Sequence, residues 1–331
     1  MEAYVRSLPK AELHIHIEGS LEPKLMLMLA KRNDVPLRFK TVEEIRAAYA
    51  FSDLQSFLDL YYEGAAVLQT ERDFYDLAWA YLNRAASDGV KRAEIFFDPQ
   101  THTTRGVPFD VVISGLHRAV EDASDLGVSA ALILSFLRHL SPEAAAQTLE
   151  DGLRHRMKII GVGLDSSEVG RPPSLFEEVF RRAREEGLHV VAHAGEEGPP
   201  AYIREALDVL HAERIDHGVR VDEDPELVQR VVRDRIPLTM CPLSNLRLRV
   251  VDDLAHHNLK RLLDAGVVVT INSDDPAYFG GYIVDNYVAA ASALGLTTMD
   301  LAKIARSSIE ASFVTEEQRA AWLEEIPQAT R

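Results

Sequence analysis

Short runs of β-branched and apolar residues recur along the chain, each bounded by turn residues. Between most of them, apolar positions repeat at the three-to-four spacing of amphipathic helices. Eight runs predict strands: Glu12–Ile17, Arg92–Phe97, Ala130–Leu137, Lys158–Leu164, Leu188–His193, Glu213–His217, Pro237–Cys241 and Val267–Asn272. Glu143–Arg154, Leu175–Glu186, Tyr202–Leu210, Pro225–Asp234 and Leu254–Ala265 predict helices, with Gly187 and Gly266 placed as helix stops ahead of the next strand. Eight short strands alternating with helices predict a parallel sheet closed on itself, the α/β architecture of a (β/α)8 TIM barrel. The gap between the first two strands is too long for one helix. Ser20–Asn33, Val42–Tyr49, Asp53–Leu68 and Glu71–Asp88 all read as helical, an inserted layer after strand 1. Tyr287–Leu294, Thr298–Ser308 and Glu316–Glu324 predict further helices at the C-terminus. No repeat, low-complexity tract or linker divides the chain, so residues 1–331 read as a single domain.

Composition narrows the partners. A net charge of -16 repels phosphate backbones and anionic membranes, making nucleic acid and membrane poor partners and leaving small neutral or cationic substrates open. The single cysteine, Cys241, rules out an internal disulfide framework and a cysteine-built zinc site. The N-terminal stretch lacks a basic segment and apolar core, and no run of about 18 apolar residues occurs. A cytoplasmic location is expected; a homo-oligomer is neither required nor excluded.

Four strand ends carry chemistry. In His14-Ile15-His16, alternation along a strand turns both imidazoles to one face. Strand 5 ends in His193, with Glu196 just beyond it; strand 6 ends in Asp216-His217. Strand 8 is followed by Asp274-Asp275-Pro276, adjacent carboxylates that repel unless a cation or shared proton intervenes. Each signal has an ordinary explanation: two ordinary histidines near a barrel mouth, a helix-start carboxylate, a buried structural histidine, an Asp-Asp-Pro turn. Their joint placement at the C-terminal rim of one barrel, where barrel enzymes carry their active sites, favours a single site. Three histidines and an aspartate suit zinc with an open position for water, whose pKa the metal would lower toward about 7. His102 and His139, which follow strands 2 and 3, are further candidates. His117, His155, His189, His211, His256 and His257 read as structural.

With these residues in view, the chain resembles the adenosine/adenine deaminase family of the amidohydrolase superfamily. PKAELHIHIEGSLEP, VVAHAGEEGPP, RIDHGVR, CPLSN and INSDDP occur in the family's order and spacing over nearly the whole chain. The resemblance implies that His14, His16, His193 and Asp274 bind one zinc ion and that Glu196 protonates the purine ring N1. It implies that His217 orients the attacking hydroxide, and that Asp275 hydrogen-bonds the substrate and helps move protons. Attack at C6 would release ammonia. The bridging lysine of related binuclear hydrolases has no counterpart at the end of strand 4, where the chain reads Gly163-Leu164-Asp165-Ser166-Ser167-Glu168, so one metal is expected.

Family members acting on adenosine usually carry aspartate where this chain has Glu18. The loop DSSEVGRPPS after strand 4 also departs from the nucleoside pattern, and Asp98-Pro99-Gln100-Thr101-His102 resembles the adenine branch. Adenine is therefore the expected substrate and hypoxanthine the product, a purine-salvage reaction. Glu18, one methylene longer than aspartate, is expected to intrude where a ribose would sit. The competing readings are another 6-aminopurine, such as adenosine or aminodeoxyfutalosine, and a catalytically silent metal-binding barrel with an interaction role.

Overall fold

A computed structural model describes residues 1–327; residues 328–331, at the end of the expected domain, lie outside them. All eight expected strands are present, parallel and in sequential order. They are β1 (Lys10–His16), β2 (Val90–Phe97), β3 (Ser129–Leu137), β4 (Ile159–Asp165), β5 (His189–Ala194), β6 (Arg214–His217), β7 (Pro237–Met240) and β8 (Val268–Ile271). The seam between β8 and β1 closes just past the end of β8, through a parallel bridge between Ile15 and Asp274. There Asp274 N donates to His14 O and His16 N donates to Asp274 O, both at 3.0 Å.

Two apolar layers follow from strand alternation. Ile15, Ile95, Leu134, Val162 and Ile215 point outward into the large core shared with the helices. Phe96, Ile133 and Val191 point inward and fill the barrel beneath its C-terminal rim. The inward N-terminal end is plugged by buried Glu94, which pairs with Arg92 and Arg214. Among the described residues no helix is long and apolar enough to cross a membrane.

The inserted layer after β1 comprises Pro23–Arg32, Val42–Ala48, Leu54–Ala65 and Glu71–Ser87. The first starts later than expected, because Glu18–Ser20 forms a separate 3-10 turn and Pro23 begins the helix. The expected helix Leu254–Ala265 is broken: a 3-10 turn ends at His256, His257 is extended (φ -61°, ψ 133°), and a helix restarts at Leu259–Asp264. Apolar periodicity does not register that break. A further helix, Phe109–Asp122, packs against β3.

Three short rim helices share a signature legible only in retrospect. Pro99–Thr103, Pro242–Arg247 and Pro276–Phe279 each begin with proline at the first turn. Proline drives the preceding residue out of the helical region. Asp98, Cys241 and Asp275 accordingly have nearly the same backbone conformation (φ -109°, -127° and -117°; ψ 79°, 79° and 75°), at equivalent points past β2, β7 and β8.

Candidate active site

The strand ends bring His14, His16, His193 and Asp274 together. One ligand atom from each lies within 4.8 Å of every other, and all four side chains are buried. The His14 Nδ1–H donates to the Thr239 carbonyl at 3.1 Å and lies 3.0 Å from Thr239 Oγ1, which in turn donates to Asp216 Oδ1 at 2.7 Å. This leaves a lone pair on His14 Nε2, buried and without a hydrogen-bond partner, 3.3 Å from Asp274 Oδ1. The other two rings also turn Nδ1 toward a carboxylate, without a hydrogen bond to it. His16 Nδ1 faces Asp165 Oδ2 and His193 Nδ1 faces Asp216 Oδ2, each at 3.5 Å, which turns their Nε2 atoms toward each other at 3.1 Å. Lone pairs and a carboxylate packed this way repel in a buried site unless a proton or cation lies among them. Outer carboxylates that orient histidine rings are the usual support of a metal centre. The donor set fits zinc.

Backbone strain accompanies this cluster. Asp274 (φ 62°), His217 (φ 64°) and Ser166 (φ 73°) all sit in the left-handed region at the ends of β8, β6 and β4. Such conformations cost of order 1–3 kcal/mol each in a residue other than glycine, and they concentrate at functional sites. Gly19 serves the same corner by close approach: a Cβ there would lie 1.9 Å from Asp275 Oδ1, so only glycine lets the turn after β1 pack on that carboxylate.

Glu196 and His217 face the cluster from the other side. His217 Nε2 lies 3.6 Å from Glu196 Oε2 and 3.7 Å from Asp274 Oδ2. Burial pushes the Glu196 carboxyl well above the ordinary carboxylate range, and the charges of Asp274, Glu168 and Glu197 push it the same way. Burial likewise raises Asp275, reinforced by Asp274. Burial opposes ionisation of Asp274 too, but His14, His217 and His16 more than offset it and hold that carboxylate low.

Between these groups lies a narrow cavity. His16, His193, Glu196, His217, Asp274 and Asp275 line it. Asp98 and Asp165 form one side, and Leu54, Phe57 and Leu58 of the inserted helix Leu54–Ala65 cover it. The inserted layer thus roofs the site.

Glu18 departs from expectation. It does not line the cavity but is buried behind it, accepting from Asp98 N at 3.2 Å and His102 Nε2 at 2.9 Å. The 3-10 turn directs its side chain sideways toward the loop after β2, away from the cavity lining. His102 is its anchor, with Nδ1 accepting from Arg105 Nη2 at 2.8 Å. Tyr61 binds the neighbouring Asp98 through its hydroxyl at 3.0 Å. His139 also stands outside the reacting cluster; it lies 2.8 Å from Ser166 Oγ through Nδ1.

Several residues here escaped the sequence reading. Asp165 and Asp98 end strands beside the histidines, a position that flags them; Thr239 and Asp216 support His14 and His193. Glu168 is the least visible. Its carboxylate accepts four successive backbone N–H groups, from Gly195 at 2.7 Å, Glu196 at 3.1 Å, Glu197 at 2.9 Å and Gly198 at 2.8 Å. It holds the loop that carries Glu196.

Comparison with known proteins identifies the family. A family model described as adenosine deaminase matches residues 9–329. An adenine deaminase from Acinetobacter baylyi is 60% identical over 325 residues, covering 98% of each chain. The crystal structure of an adenine deaminase from Arthrobacter aurescens superposes with a TM-score of 0.95 at 52% identity, covering 96% of this chain and 98% of that one. An amidohydrolase from Burkhoderia ambifaria, solved with bound Zn, gives a TM-score of 0.89 at 28% identity over 97% of this chain and 90% of its own. The chain belongs to the adenosine deaminase family of the amidohydrolase superfamily.

Proposed function

We propose that this protein is a single-domain zinc hydrolase that deaminates adenine to hypoxanthine and ammonia, acting in purine salvage in the cytoplasm. The observation that carries the reading is the convergence of three imidazole nitrogens and Asp274 opposite Glu196 and His217, across one roofed cavity. Relatives named adenine deaminase, at 60% identity over nearly the full length, support the free base as substrate.

His14, His16, His193 and Asp274 would hold one zinc ion, which when bound lowers the pKa of a water molecule toward neutrality. The protein's own groups do the rest. His217 orients the attacking oxygen toward C6 through its Nε2. Glu196, kept protonated by burial, delivers a proton to ring N1 as the C–O bond forms. Asp275, beside Asp274, binds the substrate and passes a proton to the departing amine, which leaves as ammonia when the C–N bond breaks. The apolar roof from Leu54, Phe57 and Leu58 excludes bulk water.

An ammonia-release screen over adenine, adenosine and related aminopurines tests the reading, together with metal analysis of the purified protein. The expected result is a clear preference in kcat/KM for adenine and about one zinc per chain. Preference for adenosine overturns the substrate; release from none of them overturns the enzyme reading.

A further inference from the structure

His257 reads from the sequence as an ordinary structural histidine, yet it ends a hydrogen-bonded line that runs into the site. The Leu259 backbone N donates to His257 Nδ1 at 3.1 Å. His257 Nε2 lies 3.1 Å from Asn245 Oδ1. Asn245 Nδ2 lies 3.3 Å from His217 Nδ1. All three side chains are buried, at 3%, 0% and 1% exposure for His257, Asn245 and His217.

The polarity of this line follows from its first member. A backbone N–H can only donate, so His257 Nδ1 must accept, and a neutral His257 carries its proton on Nε2. That proton goes to an oxygen, which places the Asn245 carbonyl toward His257 and its NH₂ toward His217. His217 Nδ1 must then accept, so the proton of a neutral His217 sits on Nε2, facing Glu196 and Asp274. Burial favours the neutral form of His257, holding its pKa down at about 4.

We propose that His257 and Asn245 are positioning residues that lock His217 in the tautomer protonated at Nε2, with the Leu259 N–H as the fixed reference. The role assigned to His217 in the reaction rests on the function proposed above; the tautomer does not. The interrupted helix is the device that makes this possible. Were Leu254–Ala265 continuous, the Leu259 N–H would bond within the helix. The break at His257 exposes it as a donor in the first turn of the new helix and turns the ring inward. With the opposite tautomer, Nε2 would present a lone pair and could not donate to an attacking oxygen. A catalytic imidazole in the wrong tautomer loses orders of magnitude in turnover even when the site is otherwise intact.

Asn245→Asp tests this with almost no change in shape. A carboxylate still accepts from His257 but cannot donate to His217 Nδ1. Long-range ¹H–¹⁵N NMR of histidine-labelled, zinc-reconstituted protein reads the tautomer, and the His217→Gln spectrum assigns the signal. The expected wild-type pattern has His217 protonated at Nε2 and bare at Nδ1. In Asn245→Asp, Nδ1 becomes protonated and kcat for adenine falls about 100-fold or more, with KM and zinc content nearly unchanged. His257→Gln, which retains a donor, should preserve most of kcat, whereas His257→Phe should not. A wild-type His217 protonated at Nδ1, or an Asn245→Asp protein whose His217 Nδ1 stays bare, overturns the proposal. A wild type inactive on every aminopurine overturns the function while leaving the tautomer result readable.

Discussion

Replacing Glu168 with glutamine asks how much of the chemistry depends on a residue that touches neither metal ligand nor substrate cavity. In the native site Glu168 Oε1 accepts from Gly195, and Oε2 accepts from Glu196, Glu197 and Gly198. Glutamine offers one carbonyl oxygen and one NH₂. Its best pose keeps the oxygen on the three-donor side and sets the NH₂ against the Gly195 N–H. The three remaining bonds lose their charge assistance, about 1 kcal/mol each, and one buried donor is orphaned at about 1–3 kcal/mol. The gross loss is about 4–6 kcal/mol. Relaxation and entry of water on the half-buried Glu197 side should reduce it to about 2–4 kcal/mol, within the stability of an ordinary domain. The fold should therefore survive while the 195–198 loop loosens. A misplacement of about 1 Å at a reacting group costs about 100-fold, so kcat for adenine should fall 10- to 100-fold. KM should change little, and hydrogen exchange at residues 195–198 should accelerate. Wild-type kcat together with unchanged exchange in E168Q would refute the claim that this carboxylate organises Glu196. Gly198→Ala is a steric companion, since its Cβ would come 2.5 Å from Glu168 Oε1.

Four further outcomes are expected. Glu196→Gln should lower kcat by about 10²–10⁴-fold while zinc content, read by elemental analysis, stays at the wild-type level. Chelation should abolish ammonia release and lower Tm, and added zinc should restore both, because a ligand present at about 1,000 times its Kd stabilises the folded state by about 4 kcal/mol. Glu18→Asp should reduce kcat/KM for adenine without producing adenosine activity. The shortened side chain releases Asp98 N and His102 but vacates no space in the cavity; a gain of adenosine turnover would restore direct collision as the explanation. Glu94→Ala, far from the site, should destabilise by about 3–5 kcal/mol in denaturant titration by leaving the buried Arg214 unpaired, with kcat of the remaining folded protein unaltered.

The parts of the fold legible in the sequence are those written as local period. Each strand is a short apolar run, and the eight runs occur in chain order as the eight staves of the barrel. What periodicity misses is any feature specified by one residue meeting a distant one. The helix break at His257 is set by Asn245 and Leu259, while apolar residues such as Leu254, Leu259, Leu262 and Leu263 maintain a helical rhythm straight through it. Glu18 shows the same limit from the other side. Its chemistry is visible in the sequence, but its direction depends on Asp98 N and His102, some eighty residues on.

The candidate site was more legible than that limit suggests, because its chemistry and its architecture share one junction. His14 and His16 lie two apart on β1, so their common inward face is a local fact. Asp274 is joined to that strand by the same two backbone hydrogen bonds that close the barrel seam. Any sequence that closes a parallel barrel between Ile15 and Asp274 thereby brings an aspartate beside two imidazoles. Only the aim of the Nε2 lone pairs remains to be set, and this is done by Thr239, Asp165 and Asp216 from strands between. Those supports are ordinary polar residues at strand ends; the position flags them, but nothing in the sequence says which ring each one faces. Because the seam is held by the backbone of Asp274, a substitution such as Asp274→Asn keeps both seam hydrogen bonds and changes only the side chain that faces the histidines. Loss of bound metal and of activity in Asp274→Asn with the fold retained would therefore isolate metal binding, as would the same result at His193.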